Sequence, residues 1–146
     1  LEPLACQSFA GQVGNQTIFA NNAQLAGHVH VGNHAILGGF TVVHQFVHIG
    51  EHSITAMGTI LLQDLPPYVM AAGNTAKPYG INSEGLKRRG FPVESIARLK
   101  AAYKLLYKSG LTLKQARDEL SSRADKEPEL RPLLVFLDRS GRGIIR

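Results

Sequence analysis

The chain has 146 residues, 44% of them apolar, enough for one or two modest domains, with Lys+Arg 16 against Asp+Glu 11. A single cysteine, Cys6, excludes a disulfide framework within the chain, and no apolar run reaches membrane-spanning length, so a reducing, cytoplasmic setting is expected. The net +5 belongs to one half: residues 1–76 carry Glu2, Glu51, Asp64 and all six histidines without a Lys or Arg, whereas residues 77–146 hold all 16 basic residues.

Leu1 opens the chain without a methionine or a signal-like basic stretch, which points to a fragment or processed product. From Val13 the chain runs in hexads. Their first residues are Val13, Phe19, Leu25, Val31, Leu37, Val43 and Ile49; their fifth residues are Thr17, Ala23, Val29, Ala35, Thr41, Val47 and Ser53. Unbroken hexads are the signature of a parallel β-helix, one supersecondary unit stacked on its own copies. Three hexads close one triangular coil of about 18 residues, and coils stack about 4.8 Å apart through backbone hydrogen bonds. The apolar first and small fifth residues then form columns inside the prism. No apolar stripe recurs at helical spacing, and the recurring Gly and Asn are expected at corners that need relaxed backbone angles. Upstream the register is damaged. A hexad at Gln7 starts on a polar residue, and one at Leu1 contains Pro3, so residues 1–12 form an atypical segment.

After Ile54 the repeat fades, and Pro66-Pro67 breaks its rhythm by removing two ladder donors. An extended excursion over residues 65–74 is expected, ending at the turn signal Gly73-Asn74. Residues 13–80 thus hold the β-helix coils and this excursion, and residues 81–146 a helical domain. Its first long helix starts near Pro92 and Glu94, buries Ile96, Leu99, Tyr103 and Leu106, and stops at Gly110. Thr112-Leu113-Lys114-Gln115 reads as a capping box for a helix burying Ala116 and Leu120. A third helix starts near Pro128 and buries Leu130, Leu133, Leu134 and Leu137. Stripes this short are expected to pack on each other and on a neighbouring subunit.

Four runs carry a resemblance: Asn21-Asn22-Ala23-Gln24-Leu25-Ala26-Gly27-His28-Val29, Val43-His44-Gln45-Phe46, Asp64-Leu65-Pro66-Pro67-Tyr68, and Asn82-Ser83-Glu84-Gly85-Leu86-Lys87-Arg88-Arg89-Gly90-Phe91. From Val13 to Arg146 the chain resembles the second half of the acyl-[acyl-carrier-protein]:UDP-N-acetylglucosamine O-acyltransferases, which begin lipid A synthesis. The resemblance implies a left-handed β-helix followed by a helical domain, and a homotrimer with active sites between adjacent prisms.

It also implies transfer of a 3-hydroxyacyl group from a carrier-protein thioester to the 3-hydroxyl of the glucosamine, without a cofactor. A sugar hydroxyl is a weak nucleophile and needs a base. The family's base is the second His of a His-x-x-His-Asp run; here those positions are Cys6, Gln7, Ser8, Phe9 and Ala10. Phe9 cannot accept a proton, so the chain alone is expected to be impaired or inactive. By the same resemblance, Gly27 supplies an oxyanion-hole N–H, His28 supports it, and His44 with Gln45 contacts substrate. Asn82, Glu84, Arg88 and Arg89 match positions that hold the nucleotide sugar, the arginines through charge-assisted hydrogen bonds. Met57 stands where the acyl groove ends, which implies a shorter acyl chain than glycine-bearing members accept.

Without the resemblance these residues read more plainly. Gly27 would be a corner glycine, and Arg88 with Arg89 a solvated basic helix end. His30 with His48, and His34 with His52, are 18 residues apart and are expected to stack coil above coil. Lys77, Lys87, Arg98, Lys100, Lys104 and Lys108 could receive the acidic acyl carrier protein. Nucleic acid fits poorly, because the aromatics sit at core positions. A zinc-dependent carbonic anhydrase of the hexapeptide-repeat type and a non-catalytic trimeric β-helix fragment remain alternatives. A spacing of four along a β-helix edge does not by itself aim three imidazoles at one metal, and no metal ligand is assigned.

Overall fold

Each hexad forms one two-residue strand and one turn. The computed structural model describes residues 10–140 and 143–146, and its first half is a left-handed parallel β-helix. Among the described residues nine short strands make its coils: β1 Gln12–Val13, β2 Ile18–Phe19, β3 Gln24–Leu25, β4 His30–Val31, β5 Ile36–Leu37, β6 Val42–Val43, β7 His48–Ile49, β8 Ile54–Thr55 and β9 Ile60–Leu61. Sheet 1 stacks β1, β4 and β7; sheet 2 begins with β2, β5 and β8; sheet 3 stacks β3, β6 and β9. Every pairing among these strands is parallel, with Gln12 opposite His30 and His30 opposite His48.

Side chains alternate along each strand, so the first residue of a hexad points inward and the sixth outward. Val31, Leu37, Val43, Ile49 and Leu61 fill the inner columns with the fifth residues Val29, Ala35, Thr41, Val47, Ser53 and Thr59, all buried. Complete removal of a Leu or Val side chain from water contributes about 1.5–3 kcal/mol, so these columns are the main source of the solenoid's own stability. The first coil has no neighbour below it among the described residues, and Val13 is 46% exposed.

The corners differ from expectation. The left-handed residue of each turn is the fourth of its hexad, Gln16, Asn22, His28, His34, Phe40, Phe46 and His52, with φ between 55 and 66. Glycine is needed at the second position instead, for clearance: a Cβ on Gly50 would stand 2.2 Å from the Pro67 nitrogen, and one on Gly32 2.5 Å from the Glu51 nitrogen.

The repeat also does not fade at Ile54. Thr55 and Leu61 keep the inner columns, and the next coil is shortened, so that Leu65 bridges Ile49 and β10 (Val69–Ala72) pairs parallel with β8. Residues 65–74 are therefore the wall of an incomplete further coil, and the expected excursion is corrected. The prolines fit because the donors flanking them carry the ladder: Leu65 N–H to the His48 carbonyl at 2.9 Å and Tyr68 N–H to the Glu51 carbonyl at 2.9 Å. β11 (Lys77–Ile81) returns antiparallel on β10.

Among the described residues four α-helices follow, one more than expected: α1 Ser83–Arg88, α2 Val93–Lys108, α3 Leu113–Arg123 and α4 Arg131–Arg139, the last entered through a 3-10 turn at Pro128–Leu130. The Thr112–Gln115 capping box forms with both of its hydrogen bonds, at 3.0 and 3.2 Å. Leu86, Ile96, Leu99, Leu106, Ala116, Leu120, Leu133 and Leu137 form one core with Tyr68 and Ile144, so the helices pack on the last coil of their own chain. Leu134 and Tyr103 are only partly buried. Asp64, 2% exposed, ties the chain's end to the solenoid: its carboxylate accepts from the His48 N–H at 2.9 Å and the Ser140 hydroxyl at 2.6 Å, and its carbonyl from the Ile145 N–H at 2.9 Å. No helix is long and apolar enough to cross a membrane among the described residues.

Candidate active site

The corner where sheet 3 turns into sheet 1 holds Gly27 and His28 after β3, and His44 and Gln45 one coil above, after β6. The hexad period places them there, since residues 18 apart stack. The Phe46 N–H donates to the Gly27 carbonyl at 3.0 Å, and the Ala26 N–H to the Val43 carbonyl at 3.0 Å, so the peptides on both sides of the Gly27 N–H are anchored. No described residue accepts from that N–H itself, which leaves it free to meet an oxyanion.

The His28 ring stacks on Phe46 with centroids 4.8 Å apart and planes 3° from parallel. Sequence reasoning passed over Phe46, although the 18-residue spacing that pairs His30 with His48 also pairs it with His28. His28, His44 and Gln45 are exposed. His30 and His48 stack at 4.8 Å on the adjoining sheet 1, where burial, and then the neighbouring His48 and His28, lower the pKa of His30.

A second cluster occupies the corner where sheet 1 turns into sheet 2. His34 stacks on His52 at 4.7 Å, His52 on Tyr68 at 5.9 Å, and Phe91 presents its edge to His52 at 5.1 Å. Burial, then His34 and Arg89, lower the His52 pKa to about 4. Burial raises that of Tyr68, with Glu51 and Glu129 adding to it. Helix α1 is pinned to this column by Asn82, which is 5% exposed. The Asn82 side chain donates to the His52 carbonyl at 3.0 Å and accepts from the Gly85 N–H at 3.2 Å as the N-cap of α1, while its N–H donates to the Tyr68 carbonyl at 2.7 Å. Glu84 in the first turn, Arg88 in the last turn and Arg89 at the C-cap are exposed, and Arg89 reaches down the same edge to the Gln16 side-chain oxygen at 2.9 Å.

Met57 is on the remaining corner, 77% exposed, above Gly39. The structure thus brings Gly27, His28, His44 and Gln45 together, and Asn82, Glu84, Arg88 and Arg89 together, but puts the two groups and Met57 on three different edges of the prism. Cys6, Ser8 and Phe9, where the base was sought, lie outside the described residues. Among the described residues no group of three or more His, Cys, Asp or Glu side chains is placed to hold a metal ion. The stacked histidines lie face to face, so their ring nitrogens do not converge on one point.

Comparison with known proteins agrees with this architecture. Residues 64–145 match the family profile described as UDP N-acetylglucosamine O-acyltransferase, domain 2. An acyl-[acyl-carrier-protein]--UDP-N-acetylglucosamine O-acyltransferase from Thiobacillus denitrificans is 55% identical over 134 residues, covering 92% of this chain and 52% of that protein. A protein of the same description from Janthinobacterium sp. (strain Marseille) is 53% identical over 139 residues, covering 92% of this chain and 53% of its own. The crystal structure of UDP-N-acetylglucosamine O-acyltransferase from Moraxella catarrhalis superposes with a TM-score of 0.90 at 42% identity, over 92% of this chain and 52% of that one. The chain spans about half the length of the curated relatives it matches.

Proposed function

The chain belongs to the UDP N-acetylglucosamine O-acyltransferase family, and from that premise we propose that it is the sugar-binding and oxyanion-stabilising half of an enzyme for the first step of lipid A synthesis. The substrates are a 3-hydroxyacyl group on acyl carrier protein and UDP-N-acetylglucosamine, and the setting is the cytoplasm. The observation that carries the reading is the Gly27–His28–His44–Gln45 corner, where an anchored turn presents an unused N–H beside two exposed imidazoles.

In this chemistry the 3-hydroxyl oxygen bonds to the thioester carbonyl carbon, and the carbonyl oxygen gains negative charge. The Gly27 N–H meets that charge, a contribution of about 3–4 kcal/mol where such a donor is preorganised. The C–S bond then breaks and the carrier thiol leaves with a proton. His28 supports the hole, and His44 and Gln45 contact the sugar. Glu84, Arg88 and Arg89 hold the nucleotide on α1, which Asn82 seats, and Met57 limits the acyl chain. Because these groups occupy three edges of one prism, a complete site needs a neighbouring copy, which a homotrimer supplies. With Phe9 at the base position, proton removal is impaired.

The test is an acyl-transfer assay with 3-hydroxyacyl carrier protein and UDP-N-acetylglucosamine, on this chain and on a Phe9→His/Ala10→Asp variant. A restored base is expected to raise the rate by about 10²–10⁴. No transfer by the variant, together with no binding of UDP-N-acetylglucosamine by either chain, would end this reading.

A further inference from the structure

Arg89, at the C-cap of α1, is held by a residue of the lowest described coil. Its Nη1 donates to the Gln16 side-chain oxygen at 2.9 Å, a tie across 73 positions of the chain. Gln16, His34 and His52 are the left-handed residues of three stacked corners. The His34 N–H joins the Asn15 carbonyl and the His52 N–H the Asn33 carbonyl, both at 2.9 Å. At about 4.8 Å per coil, Gln16 lies about 10 Å below His52, on whose carbonyl α1 is seated through Asn82. The acceptor is neutral. A carboxylate there would cancel the arginine's charge, whereas an amide oxygen occupies one of its five N–H donors and leaves the charge intact. Both side chains are exposed, and no described carboxylate forms an ion pair with Arg89. Burial, then His34, then Arg89 lower the His52 pKa to about 4, so His52 adds no positive charge beside the guanidinium at pH 7.

We propose that Gln16 is a positioning residue for the nucleotide sugar: it presents the Arg89 guanidinium, still charged and already ordered, to the diphosphate. With Nη1 tied to Gln16, the fork of Nε and Nη2 carries two parallel N–H donors at the spacing of two phosphate oxygens. A long exposed side chain gives up rotamer freedom when it binds a ligand, which costs about threefold to tenfold in affinity. Gln16 removes that cost in advance, because the arginine is fixed before the ligand arrives. The inference rests on the reading of Arg89 as a nucleotide-holding residue, and it adds the group that orients Arg89 and the part of the ligand that Arg89 meets.

Calorimetric titration with UDP-N-acetylglucosamine and with UDP compares the variants with the unaltered chain. Gln16→Asn withdraws the acceptor by one methylene and suits the corner's φ of 55 better than Gln does. It is expected to melt no lower than the unaltered chain, yet to bind both ligands about threefold to tenfold more weakly. Gln16→Glu keeps the tie but cancels the charge, so it is expected to weaken both ligands at least as much; a tie that served stability alone would be kept or strengthened by it. Arg89→Ala is expected to bind more weakly still, and adding Gln16→Asn to it should change nothing further. In the ligand-free chain, nitrogen relaxation at the Arg89 Nε–H should report an ordered side chain that becomes mobile in Gln16→Asn. Undiminished binding by Gln16→Asn, a further loss when it is added to Arg89→Ala, or an Arg89 side chain already mobile in the unaltered chain would overturn the positioning role. If Arg89→Ala alone weakens binding, the nucleotide site stands without Gln16. An unaltered chain that binds neither ligand also overturns the positioning role, and the acyl-transfer assay then decides the catalytic reading.

Discussion

Replacing Asn82 tests whether this residue itself meets the nucleotide sugar or seats helix α1, which is proposed to hold it. In Asn82→Ala the cap of α1 is lost, about 1 kcal/mol, and the buried His52 carbonyl loses its donor, about 1–3 kcal/mol more. The sum is about 2–4 kcal/mol, which lowers the melting temperature of a domain this size by roughly 6–15 °C. Asn82→Asp keeps an acceptor for the Gly85 N–H but turns a carboxylate toward the His52 carbonyl at a site 5% exposed, so at pH 8 it should melt no higher than the alanine variant. With α1 unseated, Glu84 and Arg88 lose their placement, and affinity for UDP-N-acetylglucosamine should fall by about tenfold in both variants. The measurements are thermal unfolding followed by circular dichroism and calorimetric titration with UDP-N-acetylglucosamine below the melting range. If Asn82→Ala melts within about 1 °C of the unaltered chain yet no longer binds the nucleotide sugar, the residue is a ligand contact and the seating argument is refuted.

Gly50→Ala should cost about 2–4 kcal/mol, because its Cβ meets the rigid Pro67 backbone at 2.2 Å, while Gly39→Ala, with its nearest atom at 3.4 Å, should stay within about 1 kcal/mol; urea unfolding of the two variants side by side checks this. The His52 pKa is about 4 in the fold against 6.5 for an ordinary histidine, so the unfolded chain takes the proton first as pH falls. Stability should be flat above pH 7 and decline between pH 6.5 and 4 by up to about 3 kcal/mol. His52→Phe should flatten that slope, and equal urea midpoint shifts between pH 7.5 and 4.5 in both proteins would contradict the assignment. Asp64→Ala leaves the His48 N–H and the Ser140 hydroxyl without their acceptor, so hydrogen exchange at Ile144 and Ile145 should quicken along with a loss of about 2–4 kcal/mol. In the base-restored Phe9→His/Ala10→Asp background, Met57→Gly should move the preferred acyl donor toward longer chains in competition assays, and an unchanged preference would take the chain-length role from Met57.

The coils were legible in the sequence because a period of six repeats the same inward and outward choice at every step over residues 13–54. The stacked pairs His30–His48 and His34–His52 followed from the same count. The fading of the repeat was misjudged, because Pro66 and Pro67 look like breakers until the Leu65 and Tyr68 donors on either side of them are seen to carry the ladder. Helix α1 was merged into the helical region, since six residues leave little periodicity to read.

The sequence alone also determined the residue types at the candidate site, and the Asn82–Phe91 and Val43–Phe46 runs tied them to one family. Hexad position assigns Gly27, His28, His44, Gln45 and Met57 to their corners, but only the tertiary structure decided which corner faces helix α1 and its residues Glu84, Arg88 and Arg89, because that depends on contacts between residues far apart in the chain. The side chain of Asn82 illustrates the limit: its cap bond from the Gly85 N–H is local, but its bond to the His52 carbonyl exists because chain folding brings that group, 30 residues away, against it.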